Sequence, residues 1–173
     1  MRTQIGIVAL ITATASPLWG FSGLLSFGDS LSDVGNTYGA TFGLSPGGSP
    51  YYNGRYSNGP VWVEDLALDQ ALAVPTLSRS GGLDYAYGGA ETGTGNTSLV
   101  IWNLQKQVST YLGNHTPSPT QLVTLWAGAN DFFDGQTNVA TPVNNIATSI
   151  GSLATAGAKT FLVPNLPLLG DTP

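Results

Sequence analysis

Leu122-Val123-Thr124-Leu125-Trp126, running into Ala127-Gly128-Ala129-Asn130-Asp131, decides how this chain folds. The run is apolar at nearly every position rather than every second one, so a strand over 121–127 has both faces buried, as in a parallel sheet covered by helices. Working outward, a second apolar strand is read over 21–27, ending at Gly28, and further short strands over 83–87 and 160–163. Helical patterns lie between them. One is opened by Pro60 in its first turn and carries Val61, Trp62, Leu66 and Leu68; the others cover about 101–112 and about 142–156. A loop rich in Gly, Ser, Pro and Tyr fills 38–58. Strand and helix thus alternate along the chain, which predicts a single α/β domain over 21–173, built in three layers around a parallel sheet.

Composition narrows the function. Hydrophobic residues make up 42% of the chain and charged residues 9%, with five basic against ten acidic side chains and a pI near 4.3. No basic surface exists to hold a phosphate backbone, so nucleic acid is excluded as a partner. With no cysteine, disulfides, metal thiolates and thiol nucleophiles are excluded together. Arg2, the apolar run from Ile5 to Ala15 and the small-residue pattern Ala13-Thr14-Ala15 read as a secretory signal peptide over 1–20, cleaved after Ala15 or after Gly20. Thr12, Thr14 and Pro17 make that stretch a poor helix of the fold itself. No later segment is long and apolar enough to span a bilayer, so the expected location is extracellular. Asn96-Thr97-Ser98 and Asn114-His115-Thr116 are glycan acceptor sequons in polar, turn-rich surroundings.

In open parallel sheets the ligand site lies beyond the carboxyl ends of the strands. Ser30 follows the first predicted strand, Gly88-Gly89 the second, Asn130 the third and Pro164-Asn165 the fourth, so all four fall at one edge. Singly, each has an ordinary reading. Ser30 with Asp33 resembles a capping box, Gly88-Gly89 a plain turn, and Asn130-Asp131 a turn or cap pair.

Together the segments resemble the GDSL esterase/lipase family, the SGNH hydrolases. The resemblance rests on Gly28-Asp29-Ser30-Leu31-Ser32-Asp33-Val34-Gly35-Asn36, Tyr52-Asn53-Gly54-Arg55-Tyr56-Ser57-Asn58-Gly59-Pro60, Asp84-Tyr85-Ala86-Tyr87-Gly88-Gly89-Ala90 and Gly128-Ala129-Asn130-Asp131, in that order. Val163-Pro164-Asn165-Leu166-Pro167 looks like the plant and fungal secreted branch. The resemblance implies a flavodoxin-like α/β/α fold and carboxylic ester hydrolysis through an acyl-serine. Ser30 would be the nucleophile, and its backbone N–H one oxyanion donor. A glycine of the Gly88-Gly89 pair, Gly88 slightly preferred, would give a second donor, and the Asn130 side-chain amide a third. Asp29, Asp33 and Asp131 read as structural, holding loop N–H groups or capping helices.

The family completes its triad with a C-terminal Asp-x-x-His segment, the histidine acting as base. His115 has Leu112 three residues before it and precedes the third strand, at the sheet edge opposite Ser30, so it reads as a loop residue. The base is accordingly expected beyond the given chain, the sheet incomplete at its C-terminal side, and the chain alone inactive. Tyr51, Tyr52, Trp62, Phe132 and Phe133 either border the site or pack loops, leaving a lipid acyl ester and an acetylated polysaccharide both open as substrate. A rival reading is a secreted, non-catalytic carbohydrate-binding module of the same fold. No carboxylate and histidine cluster suggests a metal, and no cofactor is expected.

Overall fold

The computed structural model describes residues 20–171. The expected leader, apart from Gly20, lies outside the described residues. Three parallel strands form the sheet in the order β1 (Gly23–Gly28), β2 (Gln121–Trp126) and β3 (Thr160–Leu162). Around it lie α1 (Asn36–Ala40), α2 (Trp62–Asp69), α3 (Leu104–Asn114), α4 (Ala129–Phe133) and α5 (Ala140–Thr155).

Side chains alternate across a strand, and both faces are used here. Leu25 and Phe27 of β1 stand beside Val123 and Leu125 of β2. These four pack against Leu104, Val108 and Tyr111 of α3 and Leu153 of α5. On the opposite face Leu24 and Leu122 pack with Val63 and Leu66 of α2. The result is the expected α/β/α sandwich. Phe161 of β3 aligns with Val123 and packs into the α3/α5 side.

Four boundaries shift for local reasons. The expected strand over 83–87 runs beside β1, with Ser26 N–H donating to the Leu83 carbonyl (2.9 Å), Tyr85 N–H to Ser26 (2.8 Å) and Tyr87 N–H to Gly28 (3.1 Å). It forms isolated bridges rather than a regular strand. Beyond Asp84 its outer edge is satisfied by side chains: Ala86 N–H reaches Asp84 Oδ1, and the Ala86 carbonyl accepts from Asn36 Nδ2. Pro60 stands outside α2 rather than in its first turn, because Val61 is extended and donates its N–H to Glu64 Oε2 (2.9 Å), which makes Val61 the cap. Glu64 also holds Arg55 through two hydrogen bonds, tying the loop to α2. The helix expected from 101 begins at Leu104, since Ile101 and Trp102 pair with Thr97 and Asn96. Finally, β3 ends at Leu162, one residue short of expectation.

Candidate active site

Because all three strands are parallel, their carboxyl ends open onto one edge, and Ser30, Asn130 and the segment after β3 gather there. The 88–89 loop joins them through Tyr87 N–H, which donates to the carbonyl of Gly28.

Ser30 is half-buried on a tight turn at the end of β1. The Asp29 carbonyl accepts N–H groups from Ser32 and Asp33 (3.1 Å each), and Asp29 Oδ1 accepts from Leu31 (3.0 Å). Neither the Ser30 N–H nor its Oγ has a partner among the described residues. No helix starts at Ser30, which removes the capping-box reading. Asp33 caps α1 instead: its Oδ1 accepts from Gly35 (2.8 Å) and Asn36 (2.6 Å), and its Oδ2 from Thr37 (3.1 Å).

Gly28 sets the direction of the turn. Its φ is 155°, and a Cβ there would run into the Trp126 carbonyl, so the backbone passes where no side chain fits. Gly28→Ala is expected to lower stability by about 2 to 4 kcal/mol in urea melts, through strand displacement and an unfavourable φ.

The Gly88 N–H points inward, to Asp33 Oδ2 (2.9 Å) and Thr37 Oγ1 (2.7 Å). Its Cα faces the ring of Tyr56, which a Cβ would overlap. That N–H is spent, contrary to the slight preference for Gly88. Gly89 is exposed, has φ 82°, and its N–H has no acceptor among the described residues. Asn130 Nδ2 donates one hydrogen to the Ala90 carbonyl (2.9 Å), which leaves its second hydrogen unspent. Asp131 beside it accepts from the N–H and hydroxyl of Thr92, so α4 is stitched to the 88–92 loop at two points.

Two buried side chains were not singled out in the sequence. Asp84 gathers Val34 N–H, Asn36 Nδ2 and Ala86 N–H. Burial, then the charge of Asp33, raises its pKa well above the ordinary carboxylate value. Gln107, on α3, accepts from Gly28 N–H (2.9 Å) and donates to the Gly28 carbonyl (2.8 Å). For Asp84 the only sequence signal was a carboxyl in an otherwise apolar stretch, and Gln107, among the polar residues of α3, had none.

Asp29 is pushed up from 3.8 to about 6, chiefly by burial, against the Leu31 N–H and with a further contribution from Asp131. A raised carboxyl favours the protonated folded state, so its stabilising contribution is complete below about 4 and lost as pH rises through about 6. Melting temperature is therefore expected to rise as pH falls from 7 toward 4, with Asp29 contributing about 2 to 3 kcal/mol over that range. Asp29→Asn should flatten that rise, and an unchanged slope in Asp29→Asn would refute the assignment.

His115 lies exposed at the end of α3, stacked on Tyr111 with centroids 5.3 Å apart, before β2 and hence at the far edge from Ser30. Tyr51 and Tyr52 are exposed on the long loop, and Trp62 packs edge-on against Trp126 (5.6 Å). Phe133 is exposed, while Phe132 lines an apolar cavity of about 270 Å³ shared with Val143, Ile146, Val163 and Leu166. Among the described residues no group of three or more His, Cys, Asp or Glu side chains is placed to hold a metal.

Residues 24–173 match the family of GDSL-like lipases and acylhydrolases. The chain belongs to that family. Among GDSL proteins it is 36% identical to a phosphatidylcholine-sterol acyltransferase of Aeromonas hydrophila over 98% of this chain and 51% of that one. It is 33% identical to the thermolabile hemolysin of Vibrio parahaemolyticus over 83% of this chain and 33% of that one. A GDSL esterase/lipase of Arabidopsis thaliana is 27% identical over 86% of this chain and 50% of its own length. The chain thus spans about half the length or less of these relatives. The more similar relatives are bacterial, which does not support the plant and fungal branch suggested by residues 163–167.

Proposed function

We propose that this GDSL chain carries the nucleophile and oxyanion donors of a lipid-ester acylhydrolase or acyltransferase. One observation carries the reading: Ser30 N–H and Oγ, Gly89 N–H and one hydrogen of the Asn130 amide have no partner among the described residues and stand at the same sheet edge. Ser30 Oγ attacks the ester carbonyl carbon while its proton passes to a base. The carbonyl oxygen, now negative, takes the three N–H donors, and collapse expels the alcohol, reprotonated by the same base. Water or a second alcohol then takes the acyl group from Ser30. His115 is the sole histidine and stands at the wrong edge, so the base belongs to a segment beyond these 173 residues. Export through the 1–20 leader completes the reading, and Asn96 and Asn114 are exposed for glycans where the host attaches them.

An aliphatic acyl group is preferred to a sugar-linked acetyl. Support comes from the apolar cavity beside α4 and from the lipid named in the Aeromonas relative. Hydrolysis of p-nitrophenyl esters by the natural full-length protein is expected to favour octanoate over acetate. Ile146→Trp, which fills the cavity, should reduce that ratio about tenfold, the worth of one or two lost methylene contacts. Equal rates for both esters would defeat the lipid assignment, and no hydrolysis of any ester would defeat the function.

A further inference from the structure

We infer that Gln107, in the first turn of α3 and outside the reacting groups, is the positioning residue that holds the nucleophile turn and the glycine loop in register. The inference rests on the acyl-serine reading above and adds a residue to it. Gln107 is fully buried, and its amide closes around one residue: Oε1 accepts the Gly28 N–H (2.9 Å) and Nε2 donates to the Gly28 carbonyl (2.8 Å). The remaining Nε2 hydrogen goes to the Trp102 carbonyl (2.8 Å), which anchors the side chain to the start of its own helix. Among the described residues no other side chain hydrogen-bonds either polar group of Gly28.

Gly28 is the junction of the site. Two residues later comes Ser30, whose unspent N–H and Oγ must be aimed at one carbonyl. The Gly28 carbonyl also accepts Tyr87 N–H (3.1 Å), and Tyr87 leads into Gly88 and the free N–H of Gly89. The nucleophile and two oxyanion donors therefore hang from one residue, clamped from the α3 side by Gln107. Gly28 lacks a side chain to pack, and its φ of 155° is not self-supporting, so an external brace is required there. Orientation matters steeply in such a site, since displacement by about 1 Å costs on the order of 10²-fold in rate.

The test uses the natural full-length protein and a soluble ester, at a temperature well below the melting point. Gln107→Met keeps the volume and removes every hydrogen bond. It is expected to lower kcat about 10- to 100-fold with KM changed less than about threefold, the signature of misplaced reacting groups rather than lost substrate binding. Gln107→Glu keeps the acceptor, and only its protonated form restores a donor to the Gly28 carbonyl. Burial raises such a carboxyl, so kcat of this variant relative to the parent should climb as pH falls. If kcat per folded molecule is unchanged in Gln107→Met, or the Gln107→Glu ratio is flat with pH, the positioning role is wrong. If neither variant folds, Gln107 serves stability alone and the inference also fails. Ser30→Ala separates the two levels: hydrolysis surviving that change removes the acyl-serine reading itself.

Discussion

Ser30→Ala is expected to reduce ester hydrolysis by the full-length protein on the order of 10⁴-fold or more, leaving only binding and oxyanion effects. It should do so without disturbing the fold. Ser30 Oγ has no hydrogen-bond partner among the described residues, so removing it orphans nothing there and should shift stability by less than about 0.5 kcal/mol. That separation is unusual for a residue on a tight, partly buried turn, where a structural serine would be bonded to its neighbours. A fluorescent fluorophosphonate gives a second readout. The serine oxygen attacks phosphorus, fluoride leaves, and the proton goes to the base, so labelling requires an activated Ser30 and not merely a bound ligand. Rapid labelling of the parent and none of Ser30→Ala would support the acyl-serine. A parent that resists labelling would favour the rival reading, a binding module that kept the fold and lost the chemistry.

Much of the sandwich was legible because its signals are local. The run Leu122–Trp126 is apolar on both alternations, and the structure accordingly covers it by α2 on one side and by α3 and α5 on the other. Ser30, the Gly88-Gly89 pair and Asn130 could be grouped from sequence because parallel strands bring their carboxyl ends to one edge, whatever lies between them in the chain. What sequence could not reveal is where a polar group sends its hydrogen bonds. Gln107 sits on a helix whose outer face is polar, so its contact with Gly28, 79 residues away, has no local signature. Asp84 occupies an apolar stretch that reads as a strand, yet its carboxylate bonds to Val34 and Asn36 and helps divert that stretch from a regular ladder. Gly88 and Gly89 are interchangeable by composition. They differ only because Asp33 and Thr37 take one N–H and leave the other.

Asp33→Ala is expected to be the most damaging change to the fold among the residues of this site. The side chain is fully buried, and its two oxygens accept N–H groups from Gly35, Asn36, Thr37 and Gly88. Gly88 retains Thr37 Oγ1, but Gly35 at the N-cap of α1 and Asn36 and Thr37 in its first turn have no alternative acceptor among the described residues. Leaving a buried donor unpaired costs about 1 to 3 kcal/mol, so three of them approach the whole stability of a domain of this size, about 5 to 15 kcal/mol. The variant should be recovered unfolded or melt far below the parent. Asp33→Asn discriminates the cause. Its Oδ1 still serves Gly35 and Asn36, while the amide nitrogen presents hydrogens toward Thr37 and Gly88, so an intermediate loss is expected, with the glycine loop loosened while α1 persists. Burial raises the Asp33 carboxyl above its ordinary value, against the Thr37 side chain and the N–H groups of Gly88, Gly35 and Thr37 that hold it down. The carboxylate is therefore retained for its geometry rather than for its charge. If Asp33→Asn proved as destabilised as Asp33→Ala, that account would be wrong, since the two variants differ mainly in the acceptor that Asn keeps.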